Sequence, residues 1–222
     1  MTPIKEIGEC VISVGDTDYF FRPSFANMTK IGTPEEIVST FYALHNDNLS
    51  NLIVRALSVF GRLPEWFIRY LNNSAEGKAA FVAAVAVMDA CCDVDVTVLT
   101  GEIVPSRTGK RSFVWRKGRL DANDLIVIAS ELIVHGIIGR AKVRQLQRHE
   151  SKSTVKEFRA IDYINAARNH FGISRSEAEN LTMTDFILLL NTKYPEQKGF
   201  TREEYDKVVD DYFAMKERRL KG

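Results

Sequence analysis

The chain has 222 residues, 45% apolar and 27% charged, with a net charge of +1. That is enough apolar residue for a real core and too much for a disordered chain. A balance so near zero gives no global electrostatic reason to bind nucleic acid or a membrane surface. The charge is unevenly spread, however. Lys+Arg against Asp+Glu stands at 7 against 13 over residues 1–105, 11 against 4 over 106–152 and 12 against 12 over 153–222. An acidic front and a basic middle allow copies or partners to dock by charge, and ordinary solvated faces would give the same pattern.

The three cysteines are Cys10, Cys91 and Cys92. An odd count with one adjacent pair makes no disulfide framework and fits a reducing compartment. The opening segment, MTPIKEIGE, lacks the apolar centre of a secretion signal. The most apolar run, Ala79 to Val87, is too short to span a bilayer.

In chain order, Glu9–Val14 and Tyr19–Arg22 around Gly15-Asp16 predict a β-hairpin, which Pro23 ends. SFANMTKIG suggests a short helix or turn. Thr33-Pro34-Glu35-Glu36 is a strong helix start, with a cap, a proline at the first position and acids in the first turn. Ile37, Val38, Phe41 and Leu44 form its inward stripe. Leu49–Phe60 predicts another helix, with Leu52, Ile53, Ala56, Leu57 and Phe60 on one side and Gly61 closing it. Pro64 opens a third, carrying Trp66, Phe67, Tyr70 and Leu71. Gly77–Cys92 is rich in alanine and apolar nearly all round, which predicts a central buried helix.

Val94, Val96, Val98, Ile103 and Val104 suggest a strand. Arg107–Arg119 is basic and punctuated by glycine around Ser112-Phe113-Val114-Trp115, as in a hairpin arm or a long loop. Asp121 or Asn123 can cap a helix from Asp124 to His135, which Gly136 and Gly139 interrupt. Arg140–His149 continues as a basic helix or linker.

Val155, Phe158, Ile161, Ile164, Ala167 and Phe171 have helical spacing, and Gly172 ends that helix. Ser174 with Glu177 is a capping box for a short helix. Thr182 with Asp185 repeats the device before Phe186–Leu190, and Pro195 stops the run. Thr201 with Glu204 opens a last helix, in which Tyr205, Val208, Val209, Tyr212, Phe213 and Met215 face inward. The fold expected is mainly α (α+β): a bundle-like helical body, a small N-terminal hairpin and a short β element near 94–116. Three regions follow: 1–105, a hairpin with a helical cluster; 106–152, a basic arm and connector; and 153–222, a C-terminal helical domain. All three can also pack as one domain.

No catalytic constellation stands out. His45, His135, His149 and His170 have no HExxH or CxxC companions that would make a zinc site. The segment from Gly101 to Ser112 departs from a phosphate loop, with Val104 where a glycine is needed. Cys91-Cys92 closes an apolar helix, where cysteine acts as a small buried hydrophobe. Phe113 and Trp115, interleaved with Arg107, Lys110 and Arg111, fit three readings: a solvated hairpin, an arm that binds protein, or phosphate contacts to nucleic acid. The helices within 155–190 make a poor DNA reader, because the short middle one is net acidic and the next is apolar. The chain is expected to be no enzyme and to need no cofactor or metal.

Two blocks carry a resemblance. The first is Phe-Arg-Pro-Ser-Phe (21–25) with Ile-Gly-Thr-Pro-Glu-Glu-Ile-Val (31–38). The second is Ala-Ala-Arg-Asn-His-Phe-Gly (166–172), Ser-Glu-Ala-Glu (176–179), Leu-Thr-Met-Thr-Asp-Phe (181–186) and Lys-Tyr-Pro (193–195). Across about a third of its length the chain resembles tailed-phage tail assembly chaperones and related phage tail-region proteins. The resemblance implies a non-catalytic protein of the host cytoplasm during virion assembly. It would bind the tape-measure protein, keep it soluble and help tail-tube subunits polymerise, with self-association left open. Met183, Phe186 and Leu190 would then offer an apolar stripe to a client helix, although plain core gives the same spacing. The alternatives are a structural or tail-completion protein of the virion tail, and a nucleic-acid-binding accessory protein.

Overall fold

The N-terminal hairpin forms where alternation and a two-residue turn place it. In the computed structural model, β1 (Cys10–Val14) pairs antiparallel with β2 (Thr17–Phe21), Cys10 lying opposite Phe21 and Val14 opposite Thr17. Gly15 takes the left-handed φ of +61° that such a turn favours. The structure describes residues 2–45, 47–62, 64–67, 70, 74–105, 113–141 and 156–194. The chain forms two compact units, residues 1–189 and 190–222. The helix expected after Thr201 lies outside the described residues, as does the connector beyond residue 141.

Residues 21–25 act as a strap. Phe21 bridges Cys92, and the Arg22 N–H donates to the Cys91 carbonyl at 2.9 Å. Ser24 bridges Thr182, and the Phe25 N–H donates to the Leu181 carbonyl at 2.9 Å. Ser24 also caps α1 (Phe25–Thr29), its hydroxyl accepting the Asn27 N–H. A reciprocal capping box between Thr33 and Glu36 then starts α2 (Pro34–Leu44). Next comes α3 (Asp47–Phe60), closed by Gly61 at φ +68°.

Ser74 caps α4 (Ala75–Cys91), the centre of the first unit. Its small side chains, Ala80, Ala83, Ala84 and Ala90, let α2 and α6 (Ala122–Ile133) approach closely, while Val87 and Met88 fill the space between. Val82 and Asp89 remain exposed, so the helix keeps a strip of solvent contact.

Val94–Val98 does not form the expected strand. The Asp95 carboxylate accepts the Thr97 N–H and the Thr97 hydroxyl, both at 3.0 Å, and turns the chain into a short helix, α5 (Thr97–Thr100). That local bond outweighs the β preference of three valines. Gly101, at φ +87°, then swings the backbone into β3 (Gly101–Pro105), which pairs antiparallel with β4 (Phe113–Lys117). Within the basic segment, Phe113–Lys117 therefore contributes one side of a hairpin arm, and residues 107–112 lie outside the described residues.

The α6 helix runs into a π-helical segment, Val134–Ile138, which passes through Gly136 and ends at Gly139. The helix expected from Val155 begins later, as α7 (Ala160–Phe171). The Phe158 N–H donates to the Pro34 carbonyl at 3.0 Å, which pins that residue in an extended segment. The shift turns Ile161 outward and leaves Ala160, Ile164 and Ala167 inside. Gly172 ends α7 in the left-handed conformation, and the Ser174–Glu177 box opens α8 (Arg175–Glu179). The Thr182 hydroxyl accepts the Asp185 N–H at 3.1 Å where α9 (Met183–Lys193) begins. Among the described residues the fold is mainly α with two small two-stranded antiparallel sheets, as its periodicities led us to expect.

Candidate functional site

The stripe proposed on α9 is built into the core. Met183 and Phe186 are only 4% and 6% exposed. The Phe186 ring meets Phe25, Tyr163 and Phe171 edge-on at centroid distances of 6.0–6.1 Å. These contacts already occupy the faces a client helix would need. Leu190, on the same helix, is half-buried and falls in the second unit.

Trp115 serves the arm rather than its surface. Its ring stands edge-on to Phe81 at 4.8 Å, and its Nε1 donates to the Thr100 carbonyl at 3.1 Å. The backbone of Phe113 pairs with Pro105, and its side chain lies outside what is described. Arg107, Lys110 and Arg111 lie outside the described residues. Nearer the base of the arm, Arg116 pairs with Glu102 at 2.8 Å and Lys117 pairs with Asp121. Glu102, Arg116 and Lys117, with Thr97, Val98 and Arg119, line an open cleft of about 510 Å³.

Titratable groups are buried elsewhere, and they hold segments together. The Glu9 carboxylate is buried and accepts from Arg22 Nε at 2.5 Å and from the Ile4 N–H at 2.9 Å. Asp185 is half-buried. Burial and the Glu9 charge raise its carboxyl above the usual range, and Arg22 opposes them. Buried His135 contacts the Thr184 hydroxyl at 2.8 Å. Burial pushes the Cys91 thiol far up, and Cys10 shifts in the same direction, so neither is poised as a nucleophile. Among the described residues no group of three or more His, Cys, Asp or Glu side chains is placed to hold a metal ion. Among them, too, no helix is long and apolar enough to cross a membrane. These buried pairs join residues far apart in the sequence, and no local pattern announces them.

The departure that matters most is on α3. Of the stripe expected to face inward, Ala56 does so, while Leu57 and Phe60 do not; the side chains of Leu52 and Ile53 lie outside what is described. Val54, Leu57 and Phe60, spaced three apart, are 64%, 43% and 52% exposed. The Phe60 ring meets Trp66 edge-on at 6.1 Å, and Trp66 meets Phe67 at 5.7 Å. Phe67 is buried and stacks on Tyr70 at 6.4 Å, while Trp66 and Tyr70 remain 61% and 60% exposed. Ala56 and Phe67 thus anchor a ridge whose larger side chains stand in water. Scattered exposed hydrophobes are ordinary, but here the exposed rings touch one another in a contiguous run.

A family model described as a family of unknown function, DUF6246, matches residues 21–207. The chain belongs to that family. The matched span of DUF6246 contains the 21–25 strap, the α3 ridge, the basic arm and all of α9. No curated protein and no solved structure matches the chain.

Proposed function

We propose that this member of DUF6246 is a phage tail assembly chaperone that works by binding protein. Its client would be the long helical tape-measure protein, kept soluble while tail-tube subunits assemble around it. The observation that carries this reading is the exposed ridge of Val54, Leu57, Phe60, Trp66 and Tyr70. An amphipathic client helix can set its apolar face against such a ridge, and Trp and Tyr are the side chains that most often dominate binding at protein surfaces.

The resemblance supports the same reading. Residues 21–25 form the strap, 31–38 hold the Thr33–Glu36 box, and 166–186 run through α7, α8 and the start of α9. These are residues that build the body. The client site we assign lies between the two blocks, on α3 and at Trp66 and Tyr70 beyond it.

Co-expression with the longest coiled-coil protein encoded nearby, followed by pull-down and a solubility assay, tests the proposal. Co-elution of a soluble partner, lost in Trp66→Glu, supports it. A partner that precipitates with no complex formed overturns it. Stoichiometric amounts of the chain in purified particles would then favour a structural tail protein. Salt-sensitive nucleic-acid binding, lost on neutralising Arg107, Lys110 and Arg111, would favour an accessory protein acting on nucleic acid.

A further inference from the structure

The cleft at the base of the arm is lined by three cations, Arg116, Lys117 and Arg119, and by one carboxylate, Glu102. Arg116 pairs with Glu102, and Lys117 pairs with Asp121, which is not part of the lining. All four of these side chains are about half exposed or more, and ion pairs in water hold weakly. Among the described residues no carboxylate pairs with Arg119, whose side chain is exposed. The cleft is therefore positive on a chain whose net charge is only +1.

The wall that carries the cations is fixed in advance. The Trp115 Nε1 donates to the Thr100 carbonyl at 3.1 Å, the Arg119 N–H to the Val98 carbonyl at 2.9 Å and the Leu120 N–H to the Leu99 carbonyl at 3.1 Å. These bonds hold the end of β4 against α5 on either side of Arg116 and Lys117. Less backbone order is then lost when a ligand arrives. The volume of about 510 Å³ falls within the range of small-molecule pockets. Val98, 49% exposed, adds an apolar surface beside the charges.

The charge pattern selects the ligand. A phosphate monoester carries about −1.5 to −2 charges near pH 7 and three acceptor oxygens. Those oxygens spread in three directions, so three cations can share them, whereas a carboxylate offers two in one plane. The exposed pairs with Glu102 and Asp121 give way readily to such a dianion.

We propose that this cleft binds a small phosphate dianion, its phosphoryl group held by Arg116, Lys117 and Arg119. The proposal stands apart from the client reading, which concerns the α3 ridge.

Isothermal titration of the full chain with inorganic phosphate and with adenosine monophosphate tests it, at constant ionic strength because salt screens exposed charges. One equivalent should bind, with affinity weakened at least about tenfold in Arg119→Glu and in Lys117→Ala. Arg175→Ala, which removes an exposed cation on α8, should bind as the wild type does. Amide chemical shifts should move at Gly101, Gly118 and Arg119. The substituted side chains are exposed, and circular dichroism should match the wild type. Equal affinity for the two probes identifies free phosphate as the ligand. Tighter binding of adenosine monophosphate identifies a phosphomonoester whose organic part covers Val98. No binding of either probe up to about 10 mM overturns the proposal, as does an affinity unchanged in both variants. Binding confined to a short oligothymidylate, or to a polyglutamate peptide, also overturns it and gives the cleft to a polymer.

Discussion

The Nδ1 of His135 lies 2.8 Å from the Thr184 hydroxyl, a contact across 49 positions of chain. The same hydroxyl accepts the Arg140 N–H at 3.1 Å. One oxygen therefore fastens the π-helical segment to the first turn of α9. Gly8 presses on the other side of the ring. With φ at +89°, a Cβ there would come within 2.4 Å of His135 Cβ, so a larger residue would force the N-terminal turn away. Thr184→Val keeps the shape and removes the hydroxyl. It strands a buried imidazole nitrogen and an amide, which should cost about 1–3 kcal/mol in urea unfolding. A loss below about 0.5 kcal/mol would place both groups in contact with water instead.

The same histidine sets a pH dependence. Burial, with Arg140 adding and Glu131 opposing, holds His135 below its ordinary value of 6.5. As pH falls through 6.5 the unfolded chain takes up this proton before the folded one does, so stability declines. The contribution is fully present above about pH 6.5 and is lost as pH falls towards the folded pKa. Asp185 acts in the opposite direction, because its raised carboxyl is most costly when ionised, but it does so closer to the carboxylate range. Urea midpoints at pH 7.5, 6.5 and 5.5 should fall for the wild type. His135→Gln should be less stable at pH 7.5 and flatter across the series. Parallel slopes for the two proteins would remove His135 as the cause.

Signals decided by a few adjacent residues were legible in the sequence. The boxes at Thr33–Glu36 and Ser174–Glu177 and the stop at Gly172 each depend on one turn of chain. Signals that depend on a distant partner were not. The α7 helix starts at Ala160 because Phe158 is tied to Pro34, and Val94–Val98 turns because Asp95 captures Thr97. Periodicity also says that a stripe exists without saying what covers it. Phe186 and Leu57 both sit on apolar stripes at helical spacing. One is enclosed by Phe25, Tyr163 and Phe171, and the other stands 43% exposed beside a buried Ala56.

That contrast is measurable. Phe186→Ala opens a cavity among three aromatic rings and should cost about 3–5 kcal/mol. Trp66→Ala gives up a mostly hydrated ring and its edge contacts with Phe60 and Phe67, and should cost about 1 kcal/mol or less. Thermal unfolding of the two variants under one condition should therefore separate them widely. Comparable losses would place Trp66 in the core and remove the ridge.

The two tryptophans allow the basic arm to be followed on its own. Trp66 is exposed, while Trp115 is half-buried against Phe81 and bonded to the Thr100 carbonyl. In Trp66→Phe, emission reports Trp115 alone and should lie to the blue of the wild type. The base of the arm lies backbone against backbone on α5. A Cβ at Gly118 would stand 2.3 Å from the Leu99 carbonyl oxygen, and one at Gly101 would stand 2.2 Å from the Arg116 carbonyl oxygen. Neither atom belongs to a flexible side chain that can swing aside. Adding Gly118→Ala to Trp66→Phe should lift the hairpin, wet the Trp115 ring and shift its emission to the red. The helical far-UV signal should hold, because α4 and α6 pack on each other without the arm. An unshifted emission would mean that the arm docks with room to spare, and Trp115 would no longer count as its anchor.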